Sequence, residues 1–152
     1  MIKASSFTAL LFIFASSFAN AHIMLDQAYA REMAPNAKTS AIFANIHNHS
    51  DDDRLLVSAS SPRADRVELH GHSMQNGMMK MRKVENIAIA KNGVVSLKPG
   101  GLHIMLFDLK SRLKEGESID LSLHFANGDV IEHLVPVKTV MNGMAMDSDH
   151  KH

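Results

Sequence analysis

The chain has 152 residues, with 16 Lys and Arg against 16 Asp and Glu, no cysteine, no tryptophan, 11 methionines and 10 histidines. With no net charge it offers no long-range field to nucleic acid or to an anionic membrane surface, so nucleic-acid binding is excluded as an expectation. Without cysteine it can form no disulfide, thiolate metal site or Cys-held iron–sulfur cluster, and its sulfur chemistry is limited to thioether.

Residues 1–21 read as a secretory signal. Lys3 is their only charge, Phe7 to Phe18 is apolar or small apart from Thr8, Ser16 and Ser17, and Ala19-Asn20-Ala21 is a small-x-small cleavage site. The apolar run falls well short of the roughly 20 residues that span a bilayer. Cleavage is expected after Ala21, which would release the mature chain into the periplasm. Residues 22–137 then form one domain with enough apolar content for a core.

Within that domain the pattern is short strands between turns. Ser40–His47 and Arg54–Ala59 are β-compatible and flank the polar cluster Asn48-His49-Ser50-Asp51-Asp52-Asp53, beside which His47 and His49 read as turn residues. Arg66–His70 and Met78–Val84 lie either side of Gln75-Asn76-Gly77. Asn86–Ala90 and Val94–Leu97 flank Lys91-Asn92-Gly93, and Pro99-Gly100-Gly101 precedes Leu102–Leu109. Ser118–Phe125 alternates strictly, Asn127-Gly128 turns the chain, and Val130–Val137 returns, with His124 and His133 on phases expected to be exposed. No segment beyond the signal has helical periodicity. The expectation is an all-β Greek-key sandwich or barrel. Residues 138–152 lose the pattern and read as a flexible tail.

One strand carries chemistry. In Leu102–Leu106 alternation puts His103 and Met105 on one face and Leu102, Ile104 and Leu106 on the other, so the apolar face can enter the core while an imidazole and a thioether stand side by side. Upstream, His70 and Met81 can meet across the connection that turns at Asn76-Gly77. Met79 shares a strand face with Met81 and competes with it, and His72 and Met74 are auxiliary candidates. Imidazole alone suits Zn or Cu(II), whereas thioethers shift the preference to Cu(I). In the tail, Met141, Met144, Met146, His150 and His152 could form a second, looser site, its histidines suiting Cu(II) and its methionines Cu(I). His22, if it becomes the first residue, offers an amino group and an imidazole to Cu(II). Blue-copper electron transfer needs a Cys thiolate and is excluded. No nucleophile–base pair can be placed, and four protein ligands would leave no open position for a substrate, so an enzyme is not expected.

The spacing His70-x10-Met81-x21-His103-x-Met105 resembles that of the periplasmic copper chaperones called PCu(A)C. Val67-Glu68-Leu69-His70, Met79-Lys80-Met81-Arg82, Leu97-Lys98-Pro99-Gly100-Gly101-Leu102-His103-Ile104-Met105-Leu106, Asn48-His49-Ser50 and Asp53-Arg54-Leu55 are similar to that family as well, from about Met24 to Val137. The resemblance implies a cupredoxin-like barrel that binds Cu(I) through these four residues and delivers it to the CuA centre of cytochrome c oxidase. It also implies Sco-type thiol proteins as companions and a membrane met only through the acceptor. Lys83 and Tyr29 stand where the family commonly has Pro and Trp, a departure expected to affect only local packing. A copper buffer or resistance protein, sequestering metal with help from the tail, is the competing expectation.

Overall fold

The computed structural model describes residues 22–140. The expected signal, its cleavage site and the tail residues Met141, Met144, Met146, His150 and His152 lie outside the described residues. Ten strands follow in chain order: β1 Ile23–Arg31, β2 Ser40–Asn48, β3 Arg54–Ser60, β4 Ala64–Gln75, β5 Met78–Lys83, β6 Ile87–Ile89, β7 Val94–Leu97, β8 His103–Leu109, β9 Ser118–Phe125 and β10 Val130–Lys138. Among the described residues there is no helix, and the all-β, cupredoxin-like expectation holds.

The strands join in the order β5-β4-β8-β2-β1-β10-β9-β3-β6, with β7 also on β2. Every pairing is antiparallel except β1 with β10, where Ala30 faces Val137 and Arg31 faces Lys138. That short parallel step divides the path into two arms with a common core. Ile42, Ile46, Leu69, Ile104 and Leu106 come from one arm, and Leu56, Ile119, Leu121, Leu123, Phe125 and Val135 from the other, all within one hydrophobic cluster. Each such side chain contributes about 1.5–3 kcal/mol on burial. The alternation of Leu102–Leu106 is used as expected: Ile104 and Leu106 are in the core, and Leu102 packs partly buried against it.

Three expectations need correction. β1 was not anticipated, because a bulge between Asp26 and Tyr29, with Gln27 at φ 52°, shifts its apolar alternation in mid-strand. β4 does not stop at His70 but runs to Gln75, where Asn76 (φ 52°) and Gly77 (φ 76°) make the two-residue left-handed turn that suits a hairpin. Its outer half hides from pattern reading because Gly71 and Ser73 supply no apolar phase. His133 shares the phase of Ile131, Val135 and Val137 and is half-buried; His124 is also half-buried and is held by Ser60 Oγ at 2.9 Å.

Asn48 ends β2 and is buried. Its side-chain amide donates to the carbonyls of Asp52, Ile89 and Ala90, and its Oδ1 accepts from the backbone N–H and hydroxyl of Ser50. One side chain thereby ties β2, the following turn and β6 together, which accounts for the Asn-His-Ser stretch.

Candidate metal centre

Register brings the candidate donors to one face of β5, β4 and β8. His70 lies opposite His103, Glu68 opposite Met105 and His72 opposite Met81. With a period of two, Glu68, His70 and His72 share a face of β4, His103 and Met105 of β8, and Met79, Met81 and Lys83 of β5.

The tightest approach is between His103 Nε2 and Met81 Sδ, at 3.0 Å. The other ring nitrogen, Nδ1, donates to the Gly101 carbonyl at 2.9 Å, which leaves the Nε2 lone pair turned toward the thioether. Burial holds the His103 imidazole below its ordinary pKa; the nearby His70 and His72 rings add to this and the bond to Gly101 opposes it. The ring is therefore neutral and able to donate its lone pair near neutral pH. Met81 is half-exposed, so the site opens to solvent on the side of β5 while His103 closes it from within.

His70 is set differently. Its Nε2–H donates to Glu68 Oε2 at 2.8 Å, and its Nδ1 is buried with no hydrogen-bond partner among the described residues. Nδ1 is thus the atom with a free lone pair, and the His70 and His103 ring centroids are 5.9 Å apart. Glu68 is the functional residue that motif reading overlooked. The hydrogen bond from His70 is the main reason its pKa falls to about 2; Arg66 and Lys83 add to the effect and burial opposes it. A carboxylate that fixes the tautomer of a ligating imidazole is a common support for metal sites. Glu-x-His on a strand was the available signal, since alternation puts both residues on one face. Lys83 also proves more than a local packing change: it lies opposite His70, with Nζ 3.6 Å from Glu68 Oε1.

Met105 lines the same cleft of about 280 Å³ as Phe43, His72, Met81, Gly100 and His103. His72 is closer than its auxiliary status suggested, its ring 5.5 Å from that of His103 and its Nδ1 3.2 Å from the Gly101 carbonyl. Met79 is one outward step farther along β5, paired with Met74, and both are exposed. The aromatic rings of Phe43 and Phe107 lie 6.2 Å from His103 and 5.8 Å from His70. A larger cleft of about 330 Å³ between Pro62 and strands β9 and β10 has no thioether among its lining groups and only one imidazole, His133. Among the described residues no three His, Cys, Asp or Glu side chains are arranged to hold a metal.

Comparison with known proteins identifies the family and the fold. The LpqE-like family, described as "Putative lipoprotein LpqE-like", matches residues 23–137. A protein of Leifsonia xyli subsp. xyli that carries a lipoprotein name is 32% identical over 106 residues, covering 69% of this chain and 64% of its own length. The chain thus spans somewhat under two thirds of that relative. Among solved structures, the copper-bound PCuAC domain of PmoF2 matches with a TM-score of 0.66 at 17% identity, over 78% of this chain and 94% of the domain. The Cu(I) form of DR1885 from Deinococcus radiodurans matches with a TM-score of 0.58 at 29% identity, over 82% of this chain and 86% of the other. The fold is that of the PCuAC domains, and with its matched segment running from the first strand to the last, the chain belongs to the LpqE-like family.

Proposed function

We propose that this protein is a periplasmic copper carrier that binds Cu(I) through His70 Nδ1, Met81 Sδ, His103 Nε2 and Met105 Sδ and delivers it to the CuA centre of cytochrome c oxidase. The observation that carries the reading is the convergence of the His103 lone pair and the Met81 thioether at 3.0 Å. The four donors are neutral, and the one nearby carboxylate, Glu68, is offset by Arg66 and Lys83. A site of that charge favours a monovalent soft ion over a divalent hard one. Support also comes from the copper-bound state of the PmoF2 domain and the Cu(I)-bound state of DR1885.

Such a site suits cargo. Met81 is half-exposed and thioethers are individually weak, so an acceptor's donors can displace it first while His103 still holds the ion. The oxidase copper subunit is the acceptor in this reading, with Sco-type thiol proteins as companions, and the carrier catalyses no reaction. Competitive Cu(I) titration of the protein and of His103→Ala and Met105→Ala tests it. Each variant is expected to lose roughly tenfold or more in affinity, and unchanged affinity in both would overturn the site. The Met and His content of residues 141–152 favours a second reading, a copper buffer with an additional Cu(I) or Cu(II) site in the tail. Deleting residues 138–152 separates the two: a carrier keeps its core site and transfer, and a buffer loses most of its capacity.

A further inference from the structure

The face that bears His103 and Met105 continues along β2 to a second group of donors. Ala41 lies opposite Met105, and by alternation Phe43, Asn45 and His47 follow it on that face. His47 is six residues from Ala41, which at strand rise is about 20 Å from the first site. The cluster there is not part of the β4–β8 centre.

Three observations define it. The rings of His47 and His49 are nearly parallel, 7° apart, with centroids separated by 5.8 Å. His47 Nε2 is buried and has no hydrogen-bond partner among the described residues, although it sits on a half-buried side chain at a sheet surface. Met24 of β1 is directly opposite His47 and half-exposed. A solvated surface pair would leave both imidazoles in water; here one nitrogen is withdrawn from water and faces no protein donor or acceptor. Buried polar atoms without partners are rare, and one explanation for them is an ion. The backbone N–H of His49 also donates to the His22 carbonyl at 2.6 Å, which carries the β1–β2 ladder one step past Ile23 and makes His22 the register neighbour of His49.

His49 lies one residue past the end of β2, and its ring stands nearly parallel to that of His47, so the two imidazoles are side by side as a chelate requires. Paired imidazoles suit borderline divalent ions, for which affinity rises to Cu(II) along the first-row series. We propose that His47, His49 and Met24 form a second metal site, selective for a borderline divalent cation with Cu(II) bound most tightly. This contrasts with the thioether-rich centre at Met81 and His103; of the two expected turn residues, His47 is the one that lies within β2, and His49 follows it into the turn. It stands on β1, β2 and the residue that follows β2, and does not depend on the Cu(I) reading.

The test is an amide NMR titration of the protein, tail included, with Cu(II) to saturation. Paramagnetic broadening is expected at Met24, His47, His49 and Val94, the residue opposite His47 on β7. His49→Gln, at an exposed position, and the His47→Gln/His49→Gln pair should both reduce it at a Cu(II) concentration that just saturates the parent. Cu(II) affinity at this site should fall roughly tenfold or more, while Cu(I) titration of the Met81–His103 face is unchanged. Saturating Cu(II) that leaves those four amides sharp, or a His49→Gln variant that broadens as the parent does, would overturn the proposal.

Discussion

Glu68 illustrates how a residue outside the proposed donor set can orient one of its members. By accepting the Nε2–H of His70 it selects the tautomer whose Nδ1 lone pair is free, and it is itself kept ionised by that bond. Its pKa is depressed from 4.5 to about 2, so the stability it adds is present above about 4.5 and is lost as pH falls toward 2. His103, also depressed, works in the same direction: the unfolded chain takes up its proton first, so stability declines as pH falls below the ordinary histidine value of about 6.5. Glu68→Gln should therefore flatten the limb of the thermal-stability profile between pH 4.5 and 2, read by Tm across that range, while leaving the decline from His103 in place. A Gln variant with an undiminished acid limb would contradict the pairing. For the metal, protonation of imidazole competes with Cu(I), so affinity should fall on acidification below about pH 6. Because burial lowers the His103 value, its share of that fall should come at lower pH than for an ordinary histidine. A profile flat from neutrality into acid would contradict both imidazole ligands.

The β4–β5 hairpin is the element on which the site turns. Its two-residue Asn76-Gly77 turn sets a register in which Met81 faces His72 and Met79 faces Met74. A one-residue slip would move every thioether to the other face. Sequence spacing left Met79 and Met81 in competition, since alternation places both on the same side. The pairing brings the Met81 sulfur to 3.0 Å from His103 Nε2 and sets Met79 one step outward, opposite Met74. Leu keeps the volume and apolarity of Met but donates no lone pair. Met81→Leu should weaken Cu(I) binding roughly tenfold or more, and Met79→Leu should leave it within about threefold. Equal losses in a chelator competition would mean that the two thioethers share the ion. The extension of β4 past His70 was illegible because glycine and serine alternate there with histidine and methionine. β1 was illegible because its bulge breaks the period of two, whereas β7 and β9 were read with their observed bounds.

At the scale of the molecule, the core and the centre occupy opposite sides of one arm. Ile104 and Leu106 point inward from β8 while His103 and Met105 point to the other face. The second arm contributes core but no donor. Leu121→Ala, in that arm, should cost about 2–5 kcal/mol in denaturant unfolding and leave the Cu(I) affinity of the folded protein unaltered. A parallel loss of affinity would show that the arms are coupled through the core. By itself the sequence determined that the domain is all-β, that strand alternation pairs His103 with Met105, and that the available donors are imidazole and thioether. Those properties depend on residue type and a local period of two, which one chain displays without reference to its neighbours. Only the tertiary structure decided that Met81 meets His103, that Glu68 orients His70, and that His47 and His49 stack beside Met24. Each is a cross-strand relation set by hairpin register and bulges, and register is a property of pairs of strands.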